Sequence, residues 1–163
     1  MKMKLSMAGF LLILMLGVAT AQQPQSSILD SLEDRAAKGD AKSQCAVAEK
    51  YDPGISGSGD ISSKDLNKAI EWYLRSAKQG YAEAQCNLGF LYQREPLKNY
   101  SEALKWFRMA ADQEYANAQN SIGVIYNHGF GVPKDSVEAI KWYRKAAENG
   151  DAVAQFNLGV GLL

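Results

Sequence analysis

Residues 116–150 read ANAQNSIGVIYNHGFGVPKDSVEAIKWYRKAAENG, and this stretch decides the fold because earlier parts of the chain repeat its pattern. Three aromatic pairs mark the repeat, at spacings of 34 and 36 residues: Trp72-Tyr73, Trp106-Phe107 and Trp142-Tyr143. An alanine–glutamine block alternates with these pairs and occurs four times: Ala41–Gln44, Ala82–Gln85, Ala116–Gln119 and Ala152–Gln155. A period of this length is typical of proteins that stack pairs of helices.

Both blocks have the periodicity of helices. In the second alanine–glutamine block, Ala82, Gln85, Leu88 and Tyr92 follow one another at intervals of three or four residues, so they share one side of a helix. Around each tryptophan the small and apolar residues keep a similar spacing. We therefore refer to Ala-Gln helices and Trp-block helices, which alternate along the chain.

Polar residues and glycines predict where these helices begin and end. An Asp or Asn lies seven residues before each tryptophan, as an N-cap would: Asp65, Asn99 and Asp135. Glu102 and Glu138 follow two of these caps by three residues, which predicts capping boxes. Gly80 and Gly150 are placed to end the helices before them.

These signals together predict eight helices and an all-α fold, an α/α superhelical solenoid of helix-turn-helix repeats. The predicted helices are Ser27–Lys38, Ala41–Tyr51, Asp65–Lys78, Ala82–Gln93, Asn99–Asp112, Ala116–Tyr126, Asp135–Glu148 and Asp151–Gly161. Full repeats span 41–80, 81–114 and 115–150. A capping helix at 27–38, with Leu32 at the tryptophan position, precedes them, and a truncated repeat at 151–163 follows. One helix pair cannot bury its apolar side alone, so neighbouring repeats must stabilise each other.

The first 21 residues have the pattern of a secretory signal peptide. A basic start is followed by an apolar run over residues 5–18 and by the small-residue site Ala19-Thr20-Ala21. We expect cleavage between Ala21 and Gln22, a solenoid over 22–163, no membrane span after cleavage, and a periplasmic or secreted location. The apolar run is shorter than the roughly 20 residues that a spanning helix needs.

The charge balance gives no indication of nucleic-acid binding. Removing Lys2 and Lys4 from the 18 basic residues leaves 16 against 18 acidic ones, a net charge of −2. The basic residues are scattered and do not form the dense stripe that phosphate neutralisation requires.

The sequence offers few groups for catalysis or metal binding. His128 is the only histidine, and we place it in the loop that contains Gly129 and Gly131, exposed to solvent. No second histidine or cysteine lies at ligand spacing from it. We therefore assign no catalytic, cofactor-binding or metal-binding residue, and we expect no cofactor. The glycine-rich stretch 52–60 lacks the ending of a phosphate-binding loop and is interpreted as a flexible insertion.

Cys45 and Cys86 occupy equivalent places in adjacent repeats. Equivalent positions are on the order of 10 Å apart in packed helices, whereas a disulfide needs Cα atoms within about 7 Å. We expect two partly buried thiols, and a bridge between them is the alternative. The recurring Gln44, Gln85, Gln119 and Gln155 are interpreted as structural amides that hold one helix to the backbone of its neighbour.

The stretch 116–150 resembles the Sel-one-like repeat, a relative of the tetratricopeptide repeat, at more than a dozen positions. These include Ala116, Gln119, Gly123, Tyr126, Gly129, Gly131, Asp135, Ala139, Trp142, Ala146 and Gly150. The resemblance covers nearly all of the chain after the signal peptide, and Ala48 replaces the glycine in the first unit. It implies an adaptor or scaffold in protein complexes, often at the bacterial cell envelope.

A cysteine-rich subgroup of that family is associated with β-lactam binding or hydrolysis and bridges cysteines eight residues apart. Here Ala37 precedes Cys45 by eight residues and Lys78 precedes Cys86 by eight, so both bridges are absent. A β-lactam-handling enzyme is therefore the alternative function rather than the main one.

We accordingly predict an exported, non-catalytic scaffold that binds a protein or peptide through variable residues of the Ala-Gln helices. The end of the chain suggests two more interpretations, because no following helix covers its apolar residues. These residues are Phe156, Leu158, Leu162 and Leu163. Either the stack associates with itself through this end, or the sequence is a fragment of a longer repeat protein.

Overall fold

The computed structural model describes residues 31–52, 54 and 63–161, and in these ranges every regular element is an α-helix. The helices are α1 (31–37), α2 (Ala41–Tyr51), α3 (Ser63–Lys78), α4 (Ala82–Gln93), α5 (Tyr100–Ala111), α6 (Ala116–His128), α7 (Ser136–Glu148) and α8 (Ala152–Gly161). The signal peptide at 1–21, the start of the capping helix, most of the glycine-rich stretch and the last two leucines lie outside the described residues. The predicted all-α solenoid is confirmed.

Two of the three predicted N-caps are confirmed. The side chain of Asn99 accepts a hydrogen bond from the amide of Glu102 at 3.1 Å, and that of Asp135 accepts one from Glu138 at 2.9 Å. The prediction for Asp65 was wrong, because α3 begins at Ser63. Asp65 lies in the first turn of that helix, where a carboxylate is favoured by the helix dipole.

The capping boxes form only in part. The amide of Asn99 donates to the carbonyl of Tyr92 at 2.7 Å, and the amide of Asp135 donates to Tyr126 at 2.9 Å. Glu102 instead pairs with a lysine one turn away, and Glu138 does the same. In a capping box, the glutamate side chain would accept from the amide of the N-cap residue. Here the amides of Asn99 and Asp135 instead bond to the end of the preceding Ala-Gln helix.

Left-handed residues end the helices that precede the Ala-Gln helices. Gly39, Gly80 and Gly150 have φ angles of +100°, +87° and +92°, as predicted for the last two. In the remaining repeat the same place is held by Glu114, with φ of +61°. This conformation is unfavourable for residues with a Cβ atom.

Replacing Glu114 with Gly is expected to raise the free energy of unfolding by about 1 kcal/mol, because a side chain in the left-handed region costs roughly 1–2 kcal/mol and glycine recovers most of it. Urea denaturation followed by circular dichroism measures the change. The matched control is Gly80→Ala, which should be destabilising; no atom lies within 4 Å of the added Cβ, so only the backbone conformation acts. A loss of stability in Glu114→Gly would contradict the assignment.

Each tryptophan and the aromatic residue after it have separate positions in the core. Tyr73 and Phe107 are fully buried, and Tyr143 is nearly so. Trp106 belongs to the core cluster of the preceding repeat, and Trp142 packs against the preceding cluster in the same way. These two tryptophans therefore fill the space between neighbouring repeats.

Glycine allows the second aromatic residue to lie directly on an Ala-Gln helix. A Cβ atom added to Gly89 would lie 2.5 Å from Cε1 of Phe107, and one added to Gly123 would lie 2.5 Å from Cε1 of Tyr143. Real Cβ atoms do not approach other atoms so closely. These two glycines are therefore required by the packing of α5 on α4 and of α7 on α6.

Three of the four recurring glutamines hold the helices together as predicted, whereas the fourth, Gln155, is exposed. In three repeats the Nε2 atom donates to the alanine carbonyl eight residues earlier, at 3.0, 3.1 and 3.3 Å. The Oε1 atom accepts from an amide near the end of the following Trp-block helix, at 2.8, 2.8 and 3.0 Å. The glutamines are Gln44, Gln85 and Gln119, and the amide donors are Gln79, Gln113 and Asn149.

The same bonds correct the alignment of the capping helix. Gln44 bonds to the carbonyl of Ala36, just as Gln85 bonds to that of Ala77. Leu32 lies four residues before Ala36 and is therefore equivalent to Tyr73, one position after the tryptophan. The prediction that Leu32 takes the tryptophan position was wrong by one residue, because α1 contains no aromatic pair to fix its register.

Candidate protein-binding face

Successive Ala-Gln helices lie side by side and are joined by asparagine side chains. The Nδ2 atom of Asn87 on α4 lies 3.4 Å from Oε1 of Glu49 and 3.9 Å from Sγ of Cys45, both on α2. Asn157 on α8 donates to Oδ1 of Asn120 on α6 at 3.0 Å. Asn87 and Asn157 both stand two residues after the recurring glutamine, so an equivalent side chain joins α4 to α2 and α8 to α6.

One stripe of each Ala-Gln helix lies on the side opposite the recurring glutamine. Its residues stand two positions before the recurring glutamine and two, five and nine positions after it. This spacing keeps their side chains on one side of a helix. Phe90 and Val124 in this stripe also pack against the core. We call this stripe the Ala-Gln face. Its members are Lys42, Ala46, Glu49, Glu83, Asn87, Phe90, Arg94, Asn117, Ser121, Val124, His128, Val153 and Asn157.

The side chains of the Ala-Gln face differ from repeat to repeat. Five residues after the glutamine stand Glu49, Phe90 and Val124; nine residues after it stand Arg94 and His128. The positions that build the core, by contrast, hold similar small, aromatic or amide residues in each repeat. The face therefore presents a single nonrepeating pattern, as the sequence predicted for the binding surface.

Carboxylates concentrate at the α2–α4 end of this face. Burial raises the pKa of the Glu49 carboxyl, and the nearby charge of Glu83 raises it further. Glu83 also accepts a hydrogen bond from the hydroxyl of Tyr81 at 2.8 Å, and this bond is the main reason that the pKa of Tyr81 rises to about 12. Glu49 and Glu83 therefore lie close to each other, and we call this pair of carboxylates the acidic part of the face.

A cleft of about 290 Å³ opens beside the acidic part. One wall is the ring of Phe90, and the polar groups come from α4 and from the residues that follow α2. The lining residues are Asp52, Gly54, Asn87, Phe90, Gln93 and Arg94. The cleft thus combines an aromatic wall with amide and guanidinium groups.

An ion pair between a buried carboxylate and a partly exposed guanidinium lines the cleft. The Nη2 atom of Arg94 lies 2.8 and 2.9 Å from the two carboxylate oxygens of Asp52, whose side chain is 1% exposed. Asp52 also accepts bonds from the amide of Gly54 at 2.9 Å and from the hydroxyl of Tyr73 at 3.4 Å. The interpretation of the stretch from Asp52 as a flexible insertion was therefore wrong for its first residue.

Sequence reasoning did not identify Asp52 or Arg94 as site residues. The two lie 42 positions apart, outside the repeated blocks, and nothing in the local sequence connects them. Only the packing of α4 beside α2 brings them together.

Both cysteines are free thiols. Cys45 lies in the first core cluster and Cys86 in the second, as expected for equivalent positions one repeat apart. Burial raises the pKa of Cys45 far above its ordinary range and that of Cys86 to about 12. Because a nucleophilic cysteine must be a thiolate, neither is suited to nucleophilic catalysis near neutral pH.

His128 is the last residue of α6, and the prediction that it lies in the following loop was wrong. It is exposed, as predicted, and its ring stacks on Phe130 with centroids 5.1 Å apart. Phe130 stacks in turn on Tyr100 at 5.1 Å. The described ranges contain no group of three or more His, Cys, Asp or Glu residues arranged to hold a metal ion.

In the described part of the chain, no helix has both the length and the hydropathy that crossing a membrane requires.

The fold and the Ala-Gln face define a helix-pair repeat protein of a protein-interaction type. Three consecutive stretches match the Sel1 repeat family, at residues 41–81, 82–115 and 116–151. These matches cover most of the chain, and the chain belongs to the Sel1 repeat family. Sel1 repeats generally mediate protein–protein interactions.

Two solved structures are similar to this chain. One is a protective antigen present in uropathogenic Escherichia coli strains that displays an SLR fold, with 36% identity and a TM-score of 0.68 over 78% of this chain. The other is a Sel1 repeat protein from Oxalobacter formigenes, with 36% identity and a TM-score of 0.65 over 76% of this chain. The chain spans 27% of the first structure and 49% of the second. No curated protein matches it.

Proposed function

We propose that this chain is an exported, non-catalytic scaffold whose Ala-Gln face binds a protein or peptide. The observation that carries the proposal is the difference in side chains along that face from one repeat to the next, on a framework whose core positions recur. Because the pattern of side chains does not repeat along the face, a partner that matches it can bind in only one register along the stack. The cleft adds Phe90 and Arg94, an aromatic residue and an arginine, which are types enriched where interfaces gain most of their affinity.

The non-catalytic part of the proposal is supported by the placement of the reactive groups. His128 faces the ring of Phe130, and both thiols are buried. General acid–base or nucleophilic chemistry needs such groups within hydrogen-bonding reach of each other in a cleft. The cleft beside α4 is lined by neither the histidine nor a cysteine.

Site-specific photocrosslinking in the native host tests the binding face. A photoreactive phenylalanine derivative is placed at Gln93 or Asn117, both at or beside the Ala-Gln face, and at Met109 or Val137, which are exposed on Trp-block helices. We expect discrete crosslinked products from the first two positions only. Equal yields from both sides of the stack, or none from Gln93 and Asn117, would overturn the assignment of the face.

The same protein, recovered from the native host, also tests whether the chain is exported. Its N-terminal residue should be Gln22, and it should be found in the periplasmic or secreted fraction. A chain that retains Met1 and stays in the cytoplasm would contradict this part of the proposal without affecting the binding face.

A further inference from the structure

Side chains five positions after the recurring glutamine form a row that crosses the Ala-Gln face. We call Glu49 on α2, Phe90 on α4 and Val124 on α6 the central row, and each of them is partly exposed. Helix α4 lies next to both other helices, because its Asn87 bonds to Glu49 and α6 shares a core cluster with it. The central row therefore changes from acidic to aromatic to aliphatic along the stack.

The acidic end of the central row lacks a cation. Among the described residues, neither Glu49 nor Glu83 belongs to an ion pair, although Lys42 lies in the same stripe. Burial and the nearby charge of Glu83 raise the pKa of the Glu49 carboxyl, so a cation placed there would interact favourably with both carboxylates. Residues 22–30 and 55–62 contain no Lys, Arg or His and cannot supply it.

The spacing of the central row limits which backbone conformation can follow it. Equivalent positions in neighbouring packed helices are on the order of 10 Å apart. A polyproline II segment rises about 3.1 Å per residue with three residues per turn, so every third side chain returns to the same side about 9 Å further along. A β-strand places side chains i and i+3 on opposite sides and does not match this spacing.

Polar groups beside the central row favour a segment whose backbone is free to form hydrogen bonds. Asn87 donates through Nδ2, and within the described residues its Oδ1 atom accepts no hydrogen bond. Asn117 is exposed on the same face. The backbone N–H and C=O groups of polyproline II have no internal partners, whereas those inside an α-helix bond to each other. An extended segment can therefore bond to these amides where a helix cannot.

We propose that the partner of the Ala-Gln face binds through an extended segment with the pattern basic-x-x-apolar-x-x-apolar, read in either chain direction. Its Lys or Arg meets Glu49 and Glu83, and its two apolar side chains lie on Phe90 and Val124. This inference rests on the proposed function and adds the chemistry of the partner to it.

Selection from a random dodecapeptide phage library on the purified chain tests the pattern. We expect the enriched peptides to share one Lys or Arg and two apolar residues at intervals of three. A parallel selection on the double variant Glu49→Gln with Glu83→Gln should no longer enrich the basic residue. An acidic consensus, the alternating three- and four-residue spacing of a helix, or no enriched sequence would overturn the proposal.

Fluorescence anisotropy with the most enriched peptide tests the role of the two carboxylates. The double variant should bind it roughly tenfold more weakly at low ionic strength, and the difference should shrink as salt is added. Its melting temperature should not fall, because Gln keeps an oxygen that can accept from Asn87 and two like charges are removed. The matched control is Glu71→Gln, which removes an exposed carboxylate on α3 and should leave affinity unchanged.

Unchanged affinity in the double variant, or an equal loss in Glu71→Gln, would contradict the proposal. These measurements use purified protein and defined peptides, whereas the crosslinking experiment reports which face is occupied in the host. Crosslinks from the Ala-Gln face without the expected peptide pattern would therefore leave the proposed function standing and remove only this inference.

Discussion

Phe107→Ala is expected to lower the free energy of unfolding by about 4 kcal/mol, the largest effect of any single change proposed for this chain. Phe107 is fully buried, lies on Gly89 and makes an edge-to-face contact with Phe90 at a centroid distance of 5.1 Å. Truncation would leave a cavity in the middle repeat, through which the outer repeats stabilise each other. Urea denaturation followed at the helix signal measures the loss.

Gly89 provides a direct test of the reason for that loss. Gly89→Ala alone should be destabilising, because the new methyl group collides with the ring; overpacking costs about 1–3 kcal/mol and outweighs the helix preference of alanine. In the Phe107→Ala background the same change should be stabilising. A double-mutant cycle should therefore give a coupling energy of about 2 kcal/mol. Additive effects would show that ring and glycine do not contact each other as described.

Arg94→Met is expected to lower the free energy of unfolding by about 2 kcal/mol, because Asp52 stays buried after its cation is removed. The effect is set below the 3–5 kcal/mol typical of a fully buried pair, since the Arg94 side chain is 40% exposed. Asp52 would keep the bonds from Gly54 and Tyr73, which only partly compensate. Chemical denaturation again measures the change.

Arg75→Met is the matched control. Arg75 pairs with Glu71 at the surface of α3, with side chains that are 49% and 60% exposed, and lies over the ring of Trp72. Its loss should cost at most about 1 kcal/mol. Equal losses for the two arginine variants would contradict a special role for the buried carboxylate. The double variant Asp52→Asn with Arg94→Met should be more stable than Arg94→Met alone.

Local sequence signals predicted the helices well and the helix starts less well. The spacing of alanine, glutamine and tryptophan located every helix in the described ranges, since helical periodicity is a property of short stretches. Asp65 was misplaced because an acidic residue is favourable both as an N-cap and in the first turn. The capping boxes were overestimated because the sequence does not reveal that the cap amides bond to Tyr92 and Tyr126.

The candidate site was predictable as a surface but not as a set of residues. The proposal that the variable positions of the Ala-Gln helices form a binding face came from the repeat alone. The cleft did not, since Asp52 and Arg94 are distant in sequence and belong to no repeated block. His128 was placed correctly as exposed, but its position at the end of α6 on this face emerged only from the helix boundaries.

The sequence by itself determined that this protein is a stack of helix pairs, which positions form its core, and that buried glutamines join the helices. Those features repeat every 34 to 36 residues, so each copy reinforces the interpretation of the others. The tertiary structure decided which ring lies on which glycine and which carboxylate meets which guanidinium. These contacts join different helices, and their geometry depends on how the pairs stack, which periodicity along the chain does not specify.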